Sequence, residues 1–280
     1  MINVNKTAAG TKRLLFILFM AAFSLLMLMP ILWMFSTSLR APQDSFKLPP
    51  AFLPDDWQWH NYITAWLSVP YGRFITNSLT ISVTAVTVTL IITAMASYSF
   101  SRIKFPGRDI VFLFFLSGIM IPAQSTLIPR FMVISRLGLV NTPLALVLPA
   151  LIYPMGIFLT RQYMKTIPAS YDEAAYMDGA NHLRIFLHVI APMSVPALAV
   201  VAVLHFLGTW NDFLNALIFL YKPEVMTLPL GLNLLKGYQG TGSPAVVIAG
   251  IMISMIFPLL LYVFGQKYLL SGANISGLKS

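Results

Sequence analysis

The stretch LLFILFMAAFSLLMLMPILWMF, Leu14 to Phe35, runs 22 residues without a charged side chain. A helix crossing a hydrocarbon core roughly 30 Å thick needs around 20 apolar residues, because each residue rises about 1.5 Å. Lys12 and Arg13 precede the stretch, as basic residues precede the apolar core of a signal peptide. A signal core, however, spans only about 7–15 residues and ends in a small-residue cleavage site. Leu14 to Phe35 therefore reads as a first membrane-spanning helix.

Five further segments pass the same length test: Phe74 to Tyr98, Ile110 to Pro129, Pro143 to Thr160, Val195 to Leu220 and Pro244 to Gln266. The chain is 58% hydrophobic and only 10% charged, where soluble domains carry about 25% charged residues, so most of its 280 residues belong in lipid. The expected fold class is an all-α membrane protein of six transmembrane helices. Its parts are an N-terminal segment 1–13, one transmembrane domain 14–268 and a C-terminal tail 269–280.

An even number of spans puts both ends on one side. With the ends cytoplasmic, 11 of the 18 basic residues fall inside, namely Lys6, Lys12, Arg13, Arg102, Lys104, Arg108, Arg161, Lys165, Arg184, Lys267 and Lys279. Short loops near span ends dominate orientation, and the densest is the loop Ser101 to Asp109. The net charge of +9 thus reads as loop asymmetry rather than as nucleic-acid binding. The absence of cysteine excludes disulfides, thiol catalysis and thiolate metal sites.

The second span carries two hydroxyl stripes: Thr76, Thr80, Thr84 and Thr87 on one face, Ser78, Ser82, Thr89 and Thr93 on another. Hydroxyl residues let membrane helices approach closely and bond across, and they also suit a solute path. Both readings predict a helix surrounded by protein or water on much of its surface.

Between the fourth and fifth spans, Arg161 to Ala191 is too polar for lipid. Pro168 ends any helix continuing from the fourth span. Ser170-Tyr171-Asp172-Glu173 has the spacing of a capping box, with Ser at the cap and Glu three residues later. The new helix carries Ala174, Ala175, Met177 and Asp178 and closes at Gly179, a residue free to take positive φ. A second short amphipathic stretch, His182 to Ile190, precedes Pro192 and Pro196. The loop is predicted to be a compact helical hairpin.

Glu173-Ala174-Ala175, three residues, Gly179, nine residues, Val189, then Pro192 resembles the EAA loop of binding-protein-dependent ABC importer permeases. Val189 and Ala191 stand where that pattern usually has Ile and Leu. Asn77-Ser78, Arg102 to Arg108 with its Phe-Pro-Gly, Ile121-Pro122, Gly138 to Thr142, Trp210-Asn211-Asp212, Leu228 to Gly231, and the tail with Gly272 and Gly277-Leu278-Lys279 resemble the maltose-type carbohydrate permease branch. The resemblance covers nearly the whole chain after the first span. It implies the type I importer permease fold, with the EAA loop as a cytoplasmic coupling-helix loop, in a bacterial or archaeal inner membrane. It further implies a sugar or sugar-like solute and a second permease subunit as heterodimer partner. Two cytosolic ATPase subunits, which use ATP and Mg, and an extracytoplasmic solute-binding protein complete the expected assembly. Glu173, Ala174, Ala175, Met177, Asp178 and Gly179 would then dock on an ATPase subunit.

The chain itself is expected to bind no cofactor and to have no ATPase site. Gly272 to Ser280 has two glycines five apart, but Lys279 does not follow the second directly, as a phosphate loop requires. His60, His182, His188 and His205 lack zinc spacing, and no carboxylate pair lies within one span. A secondary carrier would need intramembrane charges or inverted repeats, and a membrane enzyme would need a cluster of nucleophile, acid or metal ligands. His205 reads as an interhelical residue. Trp210, Asn211 and Asp212 combine an aromatic plane, an amide and a carboxylate, which suits either a solute path, by stacking on and hydrogen-bonding a sugar, or a structural turn.

Overall fold

The computed structural model describes residues 4–41, 44–45, 52–237 and 242–274. It is built from helices: α1 (Val4–Ser38), α2 (His60–Leu67), α3 (Tyr71–Arg102), α4 (Arg108–Ser117), α5 (Leu127–Arg136), α6 (Leu144–Ala150), α7 (Pro154–Thr166), α8 (Ser170–Met177) and α9 (His182–Ile185). After a single π-helical turn, Phe186–Ile190, follow α10 (Ala191–Met193), α11 (Val195–Trp210), α12 (Leu214–Phe219), α13 (Leu228–Leu234), α14 (Pro244–Ser254) and α15 (Ile256–Asn274). The last helix takes in the first part of the expected tail. Residues 275–280, with the Gly277-Leu278-Lys279 motif, lie outside the described residues.

Four helical stretches are long and apolar enough to cross a membrane: Arg13–Ser38, Tyr71–Arg102, Leu144–Thr166 and Pro244–Lys267. Two bent pairs raise the number to as many as six: Arg108–Met120 with Ala123–Arg136, bent by 98°, and His182–Met193 with Val195–Trp210, bent by 72°. The expected third span is therefore not one straight helix. Pro122 forces the residue before it out of helical geometry, and Ile121 adopts φ −81°, ψ 118°. The expected fifth span, Val195 to Leu220, also divides, because α11 stops at Trp210 and α12 begins only at Leu214.

Contacts group the chain into two compact units, Met1–Val69 with Leu234–Ile253 and Pro70–Asn233 with Ser254–Ser280. In the first, α1 leaves its apolar side chains from Leu14 to Leu32 exposed, as a helix that is hydrophobic all round does in lipid. Its C-terminal end is polar and buried. Asn61 Nδ2 donates to the carbonyls of Ser38 (2.9 Å) and Arg40 (2.8 Å), satisfying acceptors that a helix end otherwise leaves open.

In the second unit α3 packs on α7 and α11, and α11 packs on α15. The two hydroxyl stripes of α3 separate cleanly. Ser78, Ser82, Thr89, Thr93 and Ser97 are buried, whereas Thr76, Thr80, Thr84 and Thr87 are exposed. The buried stripe bonds across helices: Thr89 Oγ1 donates to Ala150 (3.2 Å), Ser97 Oγ donates to Ile157 (3.0 Å), and Ser78 Oγ accepts from the Leu228 amide (2.7 Å). Gly231 lies so close to Phe74 that an added Cβ would stand 2.1 Å from its ring.

Candidate functional site

The hairpin after α7 forms as the sequence leads one to expect, except at its start. Ile167 is extended (ψ 124°) before Pro168, which ends α7. The Ser170–Glu173 capping box does not form. Ser170 is already helical, Ala169 occupies the cap, and no side chain accepts there. Asp172 and Glu173 lie in the first turn instead, where the helix dipole favours negative charge. At the other end Gly179 takes φ 78°. Its amide donates to Tyr176 (2.9 Å), and that of Ala180 donates to Ala175 (3.0 Å), the paired bonds of a Schellman stop. Asn181 then caps α9, its side chain accepting from the Arg184 amide at 2.9 Å. An Asn just before an amphipathic run is the usual signal for such a cap, and the sequence reading missed it.

The structure divides the six expected docking residues. Glu173, Ala174, Met177, Asp178 and Gly179 are exposed, Met177 at 89%. Ala175 faces the other way. It packs with Ala180, Phe186 and Val189 on a buried cluster of this chain formed by Tyr98, Met164, Ile167, Ile185 and Ile190. The outward apolar face is made instead by Ala174 and Met177 together with the half-exposed rings of Tyr171 and Tyr176.

Beneath the hairpin lies a polar shell that motif spacing did not reveal. Arg102 Nη2 donates to the Ile167 carbonyl (2.8 Å). Its Nε pairs with Asp172 Oδ2 at 3.3 Å, an ion pair without hydrogen-bond alignment whose side chains are each 13% exposed. The hydroxyls of Tyr98 and Tyr176 lie 3.3 and 2.7 Å from His182 Nδ1. Nearby, Arg161 joins three helices: Nε donates to Phe100, Nη2 pairs with Asp109 at 3.0 Å, and the guanidinium covers the Phe112 ring at 3.9 Å.

The second candidate region is the corner between α11 and α12. Trp210 is only 3% exposed, its ring set against Phe206 (5.5 Å) and Phe257 (5.3 Å). Its faces are occupied by protein, so it offers no platform for a sugar. Asn211 is exposed and its Nδ2 donates back to Leu207 (2.9 Å). Asp212 reaches a cavity. That cavity holds about 140 Å³ and is lined by Arg130, His205, Thr209 and Asn215 as well as by α6. Asp212 accepts from the Asn215 backbone (3.1 Å) and Nδ2 (2.8 Å to Oδ2), and Asn215 Oδ1 accepts from Arg130 (3.0 Å). His205 is buried against Tyr153 at 4.6 Å between ring centres, and its Nε2 makes no hydrogen bond of normal geometry. The cavity has room for several waters but is smaller than the roughly 300–1,000 Å³ of small-molecule sites.

Residues 88–269, which include both the hairpin and this corner, match the family described as binding-protein-dependent transport system inner membrane component. The chain belongs to this family. It is 34% identical to the osmoprotective compounds uptake permease protein GgtD of Synechocystis, over 99% of this chain and 96% of that protein. It is 33% identical to the arabinooligosaccharides transport system permease protein AraQ of Halalkalibacterium halodurans, over 94% of this chain and 93% of that one. Among solved structures it resembles a chain of a bacterial ABC transporter involved in the import of the acidic polysaccharide alginate, with a TM-score of 0.77, 26% identity and coverage of 96% and 99%. The resemblance carried by Glu173 to Pro192 is thus upheld for the family, and the permease fold is shared over 96% of the chain. Several other motif residues of this permease do structural work. Asn141, in the left-handed region at φ 61°, accepts from the amides of Tyr221 (2.8 Å) and Lys222 (3.1 Å), and Asn77 Nδ2 donates to Glu224 and Met226.

Proposed function

We propose that this permease carries a sugar or other polyhydroxylated solute inward and that its α8 docks on a cytosolic ATPase subunit. A second, different permease subunit, two ATPase subunits and an extracytoplasmic solute-binding protein complete the assembly. The chain crosses the inner membrane with both termini in the cytoplasm. ATP and Mg are used by the partner subunits, and this chain binds no cofactor of its own. Family membership supplies the setting, and the arabinooligosaccharide permease AraQ and the alginate importer favour a hydroxyl-rich cargo.

The observation that carries the docking reading is the outer face of α8. Glu173, Ala174 and Met177 project from a helix whose inner face is packed. Small and flexible side chains let a partner cleft approach, and Glu173 brings a charge-assisted bond. The solute route passes the α11–α12 corner, where Asp212, Arg130 and Asn215 are the groups available for hydroxyl recognition, in place of Trp210. The test is to purify the assembly with Glu173→Lys and measure retained ATPase subunit and ATP hydrolysis. A loss of either, with normal membrane insertion, is expected. Wild-type values for both would refute the docking assignment. Mass spectrometry of the ligand held by the co-purified solute-binding protein identifies the cargo.

A further inference from the structure

Resting on the docking reading, we propose that Arg102, helped by Tyr98, is the positioning residue that makes α3 move as one body with the docking helix α8. The two residues stand four apart in the last turns of α3, hence on one face. Arg102 reaches the start of the hairpin through the Ile167 carbonyl at 2.8 Å and Asp172 in the first turn of α8 at 3.3 Å. Tyr98 reaches its middle through His182 Nδ1 at 3.3 Å and the Phe186 ring at 5.3 Å. Tyr176, near the end of α8, lies 2.7 Å from the same nitrogen of His182. The docking helix is thus tied to α3 near both its ends, directly at Asp172 and through His182 at Tyr176.

Two attachments along one helix resist rotation as well as translation, which a single bond cannot do. The hairpin also touches α7, through the chain itself and through Met164 in the buried cluster. That packing is apolar, and apolar burial is non-directional, whereas hydrogen bonds weaken steeply when their geometry is lost. A push on the outer face of α8 is therefore delivered to α3. This is the helix whose buried hydroxyls bond to α6, α7 and α13 and whose exposed threonines, Thr76 to Thr87, line its N-terminal half.

The chain has no cysteine, so a nitroxide pair at Ser170→Cys on α8 and Val83→Cys on α3, both exposed, reports the distance between these helices. The assembly is purified with cysteine-free partners and compared nucleotide-free and vanadate-trapped. With Arg102 present the distance is expected to be the same in both states. In Arg102→Glu it should shift on trapping by more than the width of the parent distribution, with the ATPase subunits retained. The exchanged pair Arg102→Glu with Asp172→Arg should bring it back in part, because it restores the ion pair while a carboxylate cannot donate to the Ile167 carbonyl. If Arg102→Glu does not assemble, Arg102→Gln carries the same comparison. A nucleotide-dependent distance in the parent protein, an unchanged one in an assembled Arg102 variant, or no rescue by the exchanged pair would each overturn the proposal. Glu173→Lys with full docking and trapping would refute the docking reading alone, leaving the distance measurement to decide the link between α3 and α8.

Discussion

The hairpin and the α11–α12 corner both carry short polar motifs, yet the fold treats them in opposite ways. At the hairpin Glu173, Ala174 and Met177 are turned outward and Ala175 is spent on the chain's own packing. At the corner Trp210 is enclosed by Phe206 and Phe257, Asn211 bonds its own helix, and Asp212 is held by Asn215. Side chains with their bonding satisfied inside the chain keep a shape, and side chains left open are free to meet a partner. Two motifs of equal prominence in a sequence can thus have different work.

The largest effect should fall on the hairpin. Gly179→Val places a β-branched residue at φ 78°, a strain on the order of 1–3 kcal/mol, and moves the outer face that Gly179 terminates. Most of the ATPase subunit should be lost on purification, and co-elution measures it. Retention at the wild-type level would show that the hairpin tolerates distortion and would erase the contrast with the corner.

At the corner Trp210→Ala should act on stability rather than on docking. Truncating a buried Trp in a soluble core costs about 3–5 kcal/mol, but lipid solvates the unfolded ring nearly as well as protein does. A loss of about 1–3 kcal/mol is therefore expected, read as a lower melting temperature in detergent, with ATPase retention unchanged. Asp212→Ala leaves the backbone and side-chain N–H groups of Asn215 without their acceptor and should cost about 1–3 kcal/mol by the same measurement. If Asp212→Asn, which keeps the shape, also changes which solutes are transported, the corner is a site as well as a scaffold.

The smallest effects separate the two stripes of α3. Thr89→Val removes an interhelical bond and should cost about 0.5–1.5 kcal/mol. Thr84→Val, on the exposed face, should change the melting temperature of this chain hardly at all. Equal effects would mean that the exposed stripe is also covered within the chain.

Sequence alone determined what depends on local composition. The uncharged 22 residues from Leu14 demand lipid, Pro168 ends α7, and Gly179 closes α8, because apolar length, a missing amide and freedom at positive φ belong to single residues or short runs. Tertiary structure decided which way each residue faces and what it meets. Ser170 lost its expected cap because the chain turns one residue earlier, at Ala169. Ala175 turned inward, and Trp210 was enclosed. Arg102 met Asp172 seventy residues away, and Arg130 joined Asn215 and Asp212 beside His205. Spacing carries no record of such pairings, since a contact between distant helices depends on how their faces pack, which no local pattern specifies.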